Sequence, residues 1–168
     1  RRNVGFSIAI NLKGTDMSSP SLALLLEVDL QPGKPPILAV EAPADAPSWA
    51  AEHREALREV VAEHGSVLVR GLDLRDAAEI SAVFRRLSSS LMIEREAFAA
   101  RQVYADGVYS SATWPANQPM CMHHELSYRL EVPSLMLFAC LDAPTSGGAT
   151  AVADSREVLS ALPGDLVA

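Results

Sequence analysis

Histidine and cysteine are scarce in this sequence, and so are basic residues and long apolar runs. The chain of 168 residues has two cysteines, Cys121 and Cys140. Two are too few for a disulfide scaffold, and a reducing, cytoplasmic setting is the expectation. No apolar run reaches the length of a membrane span, so no membrane partner is expected. The formal net charge of −7 argues against a nucleic-acid partner, since phosphate backbones need a basic surface. There is no internal repeat and no low-complexity tract. What remains is a composition 49% hydrophobic and 21% charged, which fits one globular domain with a sizeable core.

The four histidines are His53, His64, His123 and His124, and the last two are adjacent, followed by Glu125. If the stretch Met120–Tyr128 is extended, alternate residues share a face. Cys121, His123 and Glu125 then point one way, and Met122, His124 and Leu126 the other. One imidazole and one carboxylate on one face can grip a single borderline-to-hard divalent ion such as Fe(II). Two protein ligands leave most coordination positions open, as a catalytic metal requires. A bare His-x-Glu is a frequent chance match, and a half-buried histidine paired with a carboxylate is the plain alternative. Cys121 shares the face, so a Cys-x-His-x-Glu zinc site is a further reading. Structural zinc usually draws on a second close pair such as Cys-x-x-Cys, which the sequence lacks. His124, on the other face, reads as a packing or surface residue.

The rest of the chain supplies a scaffold. Residues 1–16 are expected to be a tag or non-native leader, with an ordinary N-terminal arm as the alternative; Met17-Ser18-Ser19-Pro20 looks like a natural start, and residues 17–168 carry the fold. Leu22–Leu30 and Ile37–Val40 flank a turn-rich stretch, Gln31–Pro36, and predict a hairpin-like entry to a sheet. Ser48 can cap a helix running to about Glu63, ended by His64-Gly65. Ser66–Gly71 predicts a short buried strand. Ile80, Val83, Phe84, Leu87 and Leu91 form the apolar stripe of a helix over about 76–91. Both helical stripes are expected to pack on a sheet. Residues 92–112 read as a solvated connection, with a substrate loop containing Tyr104, Asp106, Tyr109, Ser110 and Ser111 as the alternative. Asp154 can cap a last short helix closed by Pro163-Gly164.

An ordered set of motifs then emerges: Thr113-Trp114-Pro115-Ala116, His123-His124-Glu125, the apolar run Pro133–Leu141, Pro144 through Gly147-Gly148 to Thr150, and Asp154-Ser155-Arg156. In this order the chain resembles the taurine dioxygenase (TauD/TfdA) family of Fe(II)- and 2-oxoglutarate-dependent dioxygenases, with its SyrP-like biosynthetic branch the nearest in look. The ordered set is far more specific than any member of it. The resemblance implies an α+β, mainly β fold, a partial double-stranded β-helix (jelly roll, cupin-like) with flanking helices. It implies His123 and Glu125 as metal ligands, Thr150 as a contact to the 2-oxoglutarate carboxylate, and Fe(II), 2-oxoglutarate and O2 as cofactor and co-substrates. The substrate would be a small molecule or a carrier-bound amino acid. Related halogenases carry a small residue at the carboxylate position, so Glu125 implies hydroxylation or desaturation.

Besides the Thr113-Trp114-Pro115-Ala116 motif, which is one residue shorter at its start, the pattern departs from the family at its distal end. The family completes its metal site with a second histidine well downstream, then an arginine that pairs with 2-oxoglutarate. No histidine follows Glu125, and Arg156 belongs to the Asp-Ser-Arg motif. The resemblance covers about Leu22 to Leu162, the N-terminal part of the usual domain. The 168-residue chain is therefore expected to be a piece of a longer domain, to turn over 2-oxoglutarate poorly by itself, and to form a homo-oligomer through an open sheet edge. A non-catalytic binding or scaffold protein that keeps part of the fold is the reading from another class.

Overall fold

The computed structural model describes residues 5–10 (backbone), 26–93, 101–111, 117–118, 121–126, 128–130 and 132–167. Strand β1 spans Gly5–Ile10. Strand β2, Ile37–Ala39, follows a turn in which the Lys34 N–H donates to the Gln31 carbonyl at 3.1 Å. The expected hairpin reduces to one antiparallel bridge, Asp29 to Ile37, because β2 gives its ladder to another strand. Residues 22–25 of the expected first strand lie outside the described residues.

The helix expected from Ser48 to Glu63 is two helices, α1 (Ala46–Glu52) and α2 (Arg54–His64). Its cap is Asp45, whose carboxylate accepts the Ser48 N–H at 2.9 Å. Pro47 sits in the first turn, where a missing N–H costs nothing. The helices bend at His53 (φ −97°, ψ 7°), yet the backbone bonds from His53 to Trp49 and from Leu57 to His53 run through. The His53 ring stacks on Trp49 at 4.4 Å and places Nδ1 2.8 Å from the Trp49 carbonyl. Gly65 ends α2 at φ 78°, in the left-handed region that glycine adopts without steric cost.

Strand β3, Ser66–Arg70, is followed by helix α3, Ala77–Leu87, capped by Asp76 through the Glu79 N–H at 2.9 Å. Helix α3 stops four residues before the expected Leu91. The run Ser88-Ser89-Ser90 ends it, and the Ser88 hydroxyl donates to the Ser90 carbonyl at 2.7 Å, a local bond that competes with helix. Strands β4 (Val103–Ala105) and β5 (Val108–Tyr109) form a hairpin across Asp106-Gly107, so the described part of the expected connection is a built hairpin, with Val103 and Tyr104 exposed to solvent and Val108 buried; residues 94–100 and 112 lie outside the described residues. Strand β6 is Leu135–Ala139, helix α4 is Ser155–Ala161, and a 3-10 turn covers Gly164–Leu166.

The main sheet runs β2-β3-β1-β6. Strand β2 is parallel to β3, while β1 is antiparallel to both β3 and β6. Within residues 1–16, expected to be a tag, a non-native leader or an ordinary N-terminal arm, Gly5–Ile10 forms a central strand: Gly5–Ala9 faces Arg70–Ser66, and Phe6–Ile10 faces Ala139–Leu135. Helix α2 lies on β3 and β1. Helix α3 packs chiefly on α1 and on the two-stranded β4–β5 sheet. The buried side chains nevertheless form one cluster, with Leu57, Val61, Val67, Val69, Val83 and Leu87 at its centre. Both sheets are open, and helix outweighs strand among the described residues, less β than expected for a jelly roll. No described helix is long and apolar enough to cross a membrane.

Candidate metal centre

The stretch around His123 is not a strand. Cys121–His124 is irregular, and the chain turns at Glu125-Leu126. Leu126 has φ 54°, a conformation rare for a bulky side chain, and the Arg129 N–H closes the turn on the Leu126 carbonyl at 2.9 Å. The face alternation expected of an extended segment is therefore absent, and the local loop does the positioning instead.

That loop still brings the two candidate ligands together. His123 Nε2 lies 3.6 Å from Glu125 Oε2. His123 Nδ1 lies 2.8 Å from the Cys121 carbonyl, which can only accept, so in the neutral ring Nδ1 carries the hydrogen. Nε2 is then the atom with the lone pair, and it faces the carboxylate. Two donors each about 2.1 Å from one ion stand about 3.0 Å apart at a right angle and about 3.4 Å at a tetrahedral one. The observed gap closes onto a shared ion with a movement of a few tenths of an ångström, and the imidazole–carboxylate donor pair suits a divalent cation.

Glu125 has a second partner. Arg101 Nη2 donates to Glu125 Oε1 at 3.1 Å, with the two side chains 22% and 29% exposed. The imidazole of His123 is more open, at 56%. Arg101 lies 24 residues before Glu125, and no local spacing in the sequence links the two.

The remaining candidates fall elsewhere. Cys121 offers its carbonyl to His123, and its thiol is free and exposed. Among the described residues no group of three or more histidine, cysteine, aspartate or glutamate side chains could hold a metal, so neither a zinc cluster with Cys121 nor a complete triad is assembled. His124 is exposed. Thr150 is exposed in the irregular stretch between β6 and α4, and none of the described hydrogen bonds joins it to the pair. Gly147 and Gly148 have φ 70° and 71°, as a turn requires. Thr113–Ala116 lies outside the described residues.

Arg156 is committed to structure. It pairs with Asp154 at 2.8 Å and donates to the Glu63 carbonyl at the end of α2 at 3.1 Å. Asp154 also accepts the Arg156 N–H at 2.8 Å, capping α4. The Asp-Ser-Arg motif thus caps one helix and ties it to the end of another.

Comparison with known proteins adds a second line. The family described as "Taurine catabolism dioxygenase TauD, TfdA family" matches residues 29–168. Dapdiamide synthesis protein DdaC of Enterobacter agglomerans is 31% identical over 110 residues, covering 66% of this chain and 33% of that protein. The chain thus spans about a third of the length of the curated relative it matches. No solved structure matches the chain.

Proposed function

This chain belongs to the TauD, TfdA family of dioxygenases, and from that premise we propose that it supplies the His123–Glu125 arm of an Fe(II)- and 2-oxoglutarate-dependent dioxygenase of the hydroxylase type. The family generally works with Fe(II), 2-oxoglutarate and O2. The bound metal would supply the activation of O2 and the oxidising power. The chain's own residues would hold and orient. His123 would give Nε2, its tautomer set by the Cys121 carbonyl, and Glu125 would give Oε2. Thr150, exposed and outside helix and strand, would meet the co-substrate carboxylate. The substrate would be a small organic or amino-acid-like molecule, free or carrier-bound, in a biosynthetic route. The name of DdaC, a synthesis protein, supports that last step.

The observation that carries this reading is the 3.6 Å approach of His123 Nε2 to Glu125 Oε2, with Nδ1 turned to the Cys121 carbonyl at 2.8 Å. The test is titration of the protein with Mn(II), followed by electron paramagnetic resonance. We expect binding that His123→Ala and Glu125→Ala each abolish and that His124→Ala leaves in place. Equal affinity in wild type, His123→Ala and Glu125→Ala would reduce the pair to an ordinary ion pair and leave a non-catalytic binding module.

A further inference from the structure

We propose that Arg101 is a positioning residue that decides which oxygen of Glu125 faces the metal. This inference rests on the proposed metal site. A glutamate carboxylate turns freely about its last torsion and can present either oxygen. Here Oε1 is held by Arg101 Nη2 at 3.1 Å, and Oε2 is the oxygen left beside His123 Nε2 at 3.6 Å. Glu125 stands in an irregular loop, so no ladder of backbone bonds fixes its direction.

Arg101, in contrast, is tied to a built element. It lies two residues before β4, and the residue between them, Gln102, exchanges two bonds with Ser110: its N–H donates to Ser110 Oγ at 2.9 Å and its carbonyl accepts the Ser110 N–H at 2.8 Å. The hairpin itself is fastened to α3. The Ser81 hydroxyl donates to the Asp106 carbonyl at 2.6 Å, and Arg85 pairs with Asp106. Rigidity therefore passes from α3 through the β4–β5 hairpin to Arg101 and on to the candidate ligand. Groups that hold a ligand from behind commonly change metal affinity when removed. The guanidinium also draws electron density from the carboxylate, but it touches the other oxygen, so its net effect is to align the ligand.

The test uses the full 168-residue chain. Mn(II) affinity is measured for wild type, Arg101→Met, Arg101→Lys, Glu125→Gln and His123→Ala. Metal-free melting is recorded for Arg101→Met, Glu125→Gln and the double variant. We expect Arg101→Met to weaken Mn(II) binding by about 10- to 100-fold, in the range of such supporting residues, and Arg101→Lys to recover part of the loss. The metal-free melting shifts of Arg101→Met and Glu125→Gln should be non-additive, as for two groups in contact. Unchanged affinity in Arg101→Met, with binding still lost in Glu125→Gln, overturns the positioning role and leaves the metal site standing. Unchanged affinity in His123→Ala and Glu125→Gln overturns the metal site and the inference with it. Additive melting shifts overturn the pairing itself, without reference to any metal.

Discussion

At the scale of single residues, the tightest constraint lies at Gly71. Its φ is 90°, and a Cβ there would overlap the Val40 carbonyl. The same Val40 donates its N–H to the Arg70 carbonyl at 2.8 Å, so the close approach is part of how β2 meets β3. Gly33 is a natural control, with φ 69° and nothing near the added carbon. Gly33→Ala should cost about 1–3 kcal/mol, the usual range for left-handed backbone in a non-glycine residue. Gly71→Ala should cost clearly more, because β2 must also move. Urea unfolding of both variants checks this, and equal losses would show that the Val40 contact yields freely. Residue-scale features differ in how well the sequence displays them. His123 and Glu125 could be read because the two sit two apart and need only a short loop to meet. Arg101 could not, because its partner is brought to it by a hairpin and a helix. Even for His123 and Glu125 the expected cause, strand alternation, is replaced by a turn at Leu126.

Helices show the same division between local and distant causes. The cap Asp154 and the stop at Gly65 follow from short-range chemistry and are legible in the residue order, whereas the first helix is capped by Asp45 in place of Ser48. The bend at His53 is not legible there, because periodicity continues through it and only the stacking of His53 on Trp49 marks the place. Helix α4 has no buried residue, so its attachment rests on polar contacts, chiefly Arg156 to Asp154 and to the Glu63 carbonyl. Arg156→Met should therefore raise amide exchange across residues 155–161 while leaving the melting temperature of the core nearly unchanged. Acid should act in the same direction. The hydrogen bond from the Arg156 side chain, then that from its backbone N–H, holds the Asp154 carboxyl below its ordinary 3.8. A depressed carboxylate contributes in full above that ordinary value, and its contribution fades as pH falls below it through the lowered one. Protection in α4, corrected for intrinsic exchange, should drop over that window in wild type and drop clearly less in Arg156→Met, which keeps only the backbone bond to Asp154. Parallel pH curves for the two proteins would count against the clamp.

At the scale of the whole molecule, the matched family region and the sheet do not have the same boundaries. The family match begins at residue 29, yet the strand joining β3 to β6 comes from residues 5–10. Phe6, Ile8 and Ile10 alternate as in a strand, but nothing local in Gly5–Ile10 says that the strand is central. Its place is set by two partners, one more than 50 residues away and the other more than 120. Residues 1–16 match nothing in the family pattern and precede Met17, so the sequence suggests a leader there, whereas β3 and β6 are legible as apolar runs. In the order β2-β3-β1-β6, β1 is the strand to which β6 is paired, and β6 in turn follows the loop that carries His123 and Glu125. Deleting residues 1–16 should therefore act at a distance. It removes the ladder from Leu135–Ala139, a five-residue apolar strand, and uncovers one side of β3. Unpaired apolar strands are templates for pairing with other chains. The shortened protein should melt at a lower temperature and associate in a concentration-dependent way, as sedimentation velocity would show. Mn(II) affinity should also fall, because the chain after Glu125 loses its anchor, while the α1–α3 packing and its helical circular dichroism remain. A shortened protein that stays monomeric and melts as before would mean that β6 is held from elsewhere, and that the sheet order described here does not govern the site.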